Sequence, residues 1–205
     1  MSVAPLKRLS EVTPGRVAVE NMSTFLYFAY GSNMSHRRLV ARTSSAALLG
    51  AATARRHRLV FDKRSLDGSA KADCLPTEQD ADVVHGALFR VDESELELLD
   101  KAEGAGSGYD RRAIEVASGG CTESATTYIA TRKQNNLAPY GWYLVHVLIG
   151  ANEAGLLPSY MSAIRDVPWT QDLDHSREQR ELKIYSAEEL AEVWRFLRGP
   201  NGGAV

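Results

Sequence analysis

A strongly apolar stretch near the start of the chain ends abruptly. Residues 25–30 read Phe-Leu-Tyr-Phe-Ala-Tyr, and Gly31, Ser32, Asn33 and Met34 follow at once. A short continuous run rich in aromatic residues and closed by a glycine predicts a buried strand. Ser35 is placed to cap a helix over 36–42, with Ser32 and Asn33 as neighbouring alternatives. A strand, a glycine turn and a helix start leave several backbone N–H groups without an i−4 acceptor. Such a turn can hold a carboxylate, a phosphate or a developing oxyanion. Gly31 lets the backbone approach a ligand with no Cβ between them. Alone, the pattern is also an ordinary way to end a core strand.

The rest of the chain supplies the partners of that strand. Residues 46–63 predict one or two strands, and the basic stretch Arg55-Arg56-His57-Arg58 within them suits a solvated face. Residues 65–82, rich in Asp, Gly, Ser and Pro, predict a loop. Residues 83–91 alternate as a strand. A helix follows over 92–103, with Asp92 as its cap and Glu95 as the capping-box partner. The run Gly-Ala-Gly-Ser-Gly at 104–108 breaks it. Residues 109–118 and 123–131 predict a hairpin turned by Gly119-Gly120. A helix is expected over 140–155, stopped at Leu157-Pro158, with a second starting from Pro158. Residues 168–186 look polar and irregular, and Ser186 caps a last amphipathic helix closed by Gly199-Pro200.

This order lacks regular βαβ alternation. It predicts an α+β fold: a mixed β-sheet closed into a small barrel and flanked by helices. A loose leader over 1–23, one domain over 24–199 and a disordered Gly-rich tail over 200–205 are the expected organisation.

Composition excludes some classes of function. With a formal net charge of −2 no basic face dominates, so no nucleic-acid partner is expected. No apolar run approaches the roughly 20 residues of a membrane helix, and the start lacks the apolar core of a signal peptide. The expected partner is therefore neither nucleic acid nor membrane, and the expected compartment is the cytoplasm. Cys74 and Cys121 fit a reducing compartment as plain structural thiols. The histidines at 36, 57, 85, 146 and 175 show no metal-ligand spacing, so no metal site is expected.

Two further features carry chemistry. Glu103 closes the 92–103 helix, the wrong end of the helix dipole for a structural anion. If buried, its pKa rises and it can act as general base or acid near neutral pH; exposed, it is only a helix terminus. Tyr109 and Tyr143 are aromatic core by default.

Three blocks in order, "FLYFAYGSNM", "LDKAEGAGSGYDRRAIEV" and "WYLVHVLIGANEAGLLPSY", resemble the gamma-glutamylcyclotransferase family over most of residues 24–165. Asn33 stands where glutathione-specific relatives resemble Y-G-S-L-M-W. Ser32 stands where gamma-glutamylamine cyclotransferases resemble Y-G-T-L. The resemblance implies release of 5-oxoproline from a gamma-glutamyl amide, with Glu103 as acid and base. It implies Tyr30, Gly31, Ser32, Asn33 and Met34 as the substrate loop, and Tyr109 and Tyr143 as pocket tyrosines, with Tyr140 one turn from the latter. No cofactor or metal is implied. The partner is a small gamma-glutamyl substrate, by default a dipeptide, with a larger gamma-glutamylated intermediate as the alternative. The turn N–H groups could hold either the oxyanion or the substrate's α-carboxylate. Residues 166–186 and the last helix could cover the pocket, form a homodimer contact or pack on the sheet. A carboxylate-binding module without chemistry is the reading from another class, and Glu103 argues against it. An interaction protein using Arg55–Arg58 has less support.

Overall fold

The computed structural model describes residues 23–199. Apart from Ser23, the expected leader lies outside the described residues, as does the expected tail. Seven strands form in chain order: β1 (Thr24–Ala29), β2 (Ala47–Arg55), β3 (His57–Arg64), β4 (Ala70–Pro76), β5 (Val83–Asp92), β6 (Tyr109–Ser118) and β7 (Cys121–Ala130). The helices are α1 (His36–Val40), α2 (Leu96–Glu103), α3 (Gly141–Glu153), α4 (Pro158–Arg165), α5 (His175–Leu182) and α6 (Ala187–Arg198).

Five strands close into a barrel in the order β1-β5-β2-β6-β7, and β3 and β4 form a separate antiparallel arm. The barrel pairs are antiparallel except the closing one, where β1 runs parallel to β7 at Tyr27–Thr126. The sheet is mixed and closed, as the sequence predicted. Tyr27 and Phe28 point to opposite faces of β1, and both are buried. Cover on both faces explains why the strand reads as a continuous apolar run.

Helix α3 is buried nearly all round, from Gly141 to Ala151. A helix apolar on every side belongs in an interior, and this one packs on the turn after β1. At Gly150 an added Cβ would overlap the peptide between Met34 and Ser35. Three residues on, Glu153 accepts the His36 N–H at 2.8 Å through Oε2. Ser35 does precede α1, but its hydroxyl makes no cap bond. It accepts instead from the Tyr185 hydroxyl at 2.8 Å. α1 is also shorter than the 36–42 expected from the sequence.

Three other expectations need correction. The segment 65–82 is not all loop, because β4 lies within it. Ala and Asp are poor strand formers, yet Ala70, Ala72, Asp73 and Cys74 are buried there. Asp73 is held by the Ala130 N–H at 2.8 Å and by Lys133 at 2.5 Å. The segment 168–186 is not wholly irregular, because α5 forms behind an Asp174 cap that accepts from the Arg177 N–H at 3.0 Å. The Asp92–Glu95 capping box does not form. A 3₁₀ turn opens α2, and Glu95 binds the N–H and hydroxyl groups of Ser44 and Ser45 instead. Elsewhere Ser186 caps α6 in a full capping box with Glu189. The 46–63 stretch is two strands hinged at Arg56, whose φ is 59°. Arg56 and Arg58 pair with Glu78 and Asp82 on the surface.

Candidate active site

A cavity of about 260 Å³ opens where the turn after β1, the end of α2, the β3–β4 arm and the start of α3 meet. Tyr30, Gly31, Ser32, Asn33, Glu103, Tyr109 and Tyr143 all line it. Residues 70 apart in sequence thus face one space.

Glu103 is placed by the end of α2. Gly104 adopts a left-handed conformation, φ 66°, and the Ala105 N–H closes back on Asp100 O at 2.9 Å. This is the glycine stop that lets a helix end while its last carbonyls stay bonded. It leaves the Glu103 side chain at the cavity, 15% exposed. Burial raises its pKa above the ordinary glutamate value, and Arg42, Arg38, Lys63 and a Tyr27 hydrogen bond oppose that rise. The carboxylate accepts from Asn33 Nδ2. Arg42 Nη1 donates to Asn33 Oδ1 at 2.7 Å and lies 3.5 Å from Glu103 Oε1. Arg42 therefore fixes which way the Asn33 amide faces, and the amide fixes the carboxylate.

The tyrosines divide by what their hydroxyl protons do. Tyr30 donates to the Tyr128 carbonyl, and Tyr109 donates to the Ala72 carbonyl at 2.8 Å. The Tyr143 hydroxyl instead accepts, from the Ala72 N–H at 3.0 Å. No described residue accepts its proton. Burial pushes its pKa up to about 12, so it stays a donor at neutral pH. Tyr140, the neighbour one turn away, donates to the Asp67 carbonyl at 3.1 Å and does not line the cavity.

Gly31 has a further reason beside the one the sequence suggested. Its φ is −115°, so no left-handed backbone requires glycine. An added Cβ would come 2.9 Å from the Tyr143 hydroxyl and 3.2 Å from the Ala72 Cβ. The glycine makes room for Tyr143 and also lines the cavity. Met34 also departs from expectation. It is fully buried against Gly150, it does not line the cavity, and its N–H donates to Gly31 O at 2.9 Å. The N–H groups of Gly31 and Asn33 have no acceptor among the described residues.

A family model described as gamma-glutamyl cyclotransferase, AIG2-like, matches residues 27–145. The chain belongs to that family. It is 30% identical over 153 residues to the gamma-glutamylcyclotransferase of Mus musculus, covering 70% of this chain and 79% of the relative. It is 28% identical over 155 residues to that of Homo sapiens, with the same coverage. A solved structure of a gamma-glutamyl cyclotransferase superposes with a TM-score of 0.69 at 25% identity, covering 83% of this chain and 98% of that one.

The part of this cyclotransferase-family chain outside the matched span also reaches the cavity. Glu181, on α5, lines it and pairs with Arg38 at 2.6 Å. The His146 ring, 3.6 Å away, and the pairing with Arg38 hold Glu181 down to about 2. Burial lowers His146 to about 4, so its ring is neutral. Its Nδ1 lies 2.7 Å from the Tyr185 hydroxyl, and Arg38 Nη1 lies 3.1 Å from its Nε2. Trp142 Nε1 donates to Asp172 at 2.8 Å, which anchors the segment ahead of α5 beside the cavity. Sequence reasoning missed Tyr27, Arg38, Arg42, Lys63, Lys71 and Glu181. For Arg38 and Arg42 a signal existed, since they stand four apart in the 36–42 stretch and a helix there would set both on one face. For Glu181 none did.

Proposed function

We propose that the chain is a gamma-glutamylcyclotransferase that acts on gamma-glutamyl dipeptides. The observation that carries this reading is Glu103: a carboxylate with a raised pKa, joined through Asn33 to the glycine turn, on the wall of the cavity. The substrate's α-amine attacks its own γ-carbonyl, a carbon–nitrogen bond forms, and a five-membered ring closes. Orientation supplies much of the acceleration, because attacker and target belong to one molecule. Glu103 takes the proton that the amine must lose. It returns that proton to the leaving nitrogen as the old amide bond breaks, so the carboxylate is regenerated. The products are 5-oxoproline and a free amino acid.

The tetrahedral oxyanion needs fixed donors. Tyr143 offers a hydroxyl proton that nothing else in the site accepts. The Gly31 and Asn33 N–H groups are uncommitted and suit the α-carboxylate of the glutamyl head. Arg42 and Asn33 hold the carboxylate in place. The unpaired thiols of Cys74 and Cys121 favour a cytoplasmic setting.

The test is to incubate the protein with gamma-glutamyl dipeptides, glutathione and gamma-glutamyl-ε-lysine and to assay 5-oxoproline. Release from the dipeptides alone is expected. Dipeptides that bind without release would overturn the catalytic reading in favour of a binding module. Release only from glutathione or the lysine conjugate would overturn the substrate class.

A further inference from the structure

Four cations and three carboxylates line the cavity. Arg38 pairs with Glu181 at 2.6 Å, Lys71 with Asp67 at 2.8 Å, and Arg42 lies 3.5 Å from Glu103. Lys63 is left over. Among the described residues it makes no ion pair and no hydrogen bond through its ammonium, which sits 4.9 Å from the centre of the Tyr109 ring. Its strand pairs with β4 on one edge and is tied on the other to residues 132–134: the Arg64 N–H donates to Arg132 O at 2.8 Å and the Gln134 N–H to Asp62 O at 2.7 Å. Burial lowers its pKa, while Glu103 and Asp67 act to raise it. A partly buried, unpaired ammonium is unfavourable by itself, and a ligand carboxylate would relieve it.

The substrate's charges can be matched to this surplus. A gamma-glutamyl head carries one carboxylate and one ammonium, which cancel. An amino acid joined through its α-nitrogen adds one carboxylate with no partner. An alkylamine adds none, and lysine joined through its side-chain nitrogen adds a carboxylate and an ammonium. Lys63 stands on the β3–β4 arm, outside the barrel. Glu103 and the glycine turn lie at the ends of α2 and β1. The glutamyl head at those two groups would point its leaving group toward the arm. We propose that Lys63 binds the carboxylate of the leaving amino acid and so determines specificity for gamma-glutamyl amino acids over gamma-glutamyl amines. The proposal rests on the cyclotransferase reading above.

The experiment compares gamma-glutamyl-alanine with gamma-glutamyl-ethylamide, by calorimetric affinity and by initial rate, on the wild type, Lys63→Met and Lys63→Arg. The wild type should prefer the alanine compound by about tenfold or more, the range of a charge-assisted hydrogen bond. Lys63→Met should bring the affinity ratio close to one, and Lys63→Arg should keep most of it. An unchanged ratio in Lys63→Met overturns the proposal. So does an equal loss for both ligands, which would put Lys63 on the glutamyl head. Affinity and turnover separate the two readings. A wild-type preference that Lys63→Met abolishes, with no turnover of either ligand, would support the Lys63 assignment and overturn the catalytic one. Normal turnover with a ratio indifferent to Lys63 would do the reverse. A wild type that binds neither compound would overturn both.

Discussion

Asn33 joins the two halves of the site. Its amide touches Glu103 and Tyr27 through Nδ2 and Arg42 through Oδ1, so one short side chain relates the end of α2 to the turn after β1. The pH dependence follows from the same cluster. Burial is the largest influence on Glu103 and raises its pKa, so the acid limb of kcat/KM should lie above the usual glutamate range. Arg42 lowers that pKa by favouring the charged form. Arg42→Met should therefore move the limb to higher pH, and a rate profile over pH checks this. Stability has the matching sign. A carboxyl whose folded pKa exceeds its unfolded value binds more protons when folded, and stability falls as pH rises from the unfolded to the folded pKa. At pH 8 Glu103→Gln should unfold at no lower denaturant concentration than the wild type. Tyr143→Phe removes a free donor, and kcat/KM should fall by about a hundredfold. The Ala72 N–H would also lose its acceptor, at a cost of about 1–3 kcal/mol, measurable by urea unfolding.

Among the elements, α3 and the turn after β1 form one unit. Gly150 lets the helix lie against the Met34–Ser35 peptide, and Glu153 then reaches the start of α1. A methyl group at Gly150 would meet backbone that cannot move aside. Gly150→Ala should therefore destabilise the protein by about 1–3 kcal/mol and lower activity by displacing the turn, as denaturant unfolding and initial rates would show. Much of this layout was legible from the chain. The apolar run, the Gly119-Gly120 hairpin, the Pro158 helix start and the Ser186 cap all carry local signals, and each formed as expected. β4 and α5 did not announce themselves. β4 is held by a buried Asp73 whose partners come from β7 and Lys133, a contact no window around residue 73 contains. α5 buries only Leu182 and makes its main contribution through Glu181, so it has little apolar face to detect.

For the whole molecule, the cavity is a junction between a closed barrel, a hairpin arm and helices from both ends of the chain. Glu103, Gly31, Tyr109 and Tyr143 could be named from the resemblance because each belongs to a recognisable block. Their supports could not. Arg42 acts through Asn33, Tyr143 is held by the Ala72 peptide, and Glu181 arrives from outside the matched span. Such roles exist only once the fold has brought the partners together. The proposed chemistry depends on one group more than any other. The decisive measurement is 5-oxoproline release from gamma-glutamyl-alanine by the wild type and by Glu103→Gln, with calorimetric affinity alongside. The mechanism predicts a rate loss of about a thousandfold with folding and affinity nearly intact. A folded Glu103→Gln enzyme that turns over at close to the wild-type rate would contradict it.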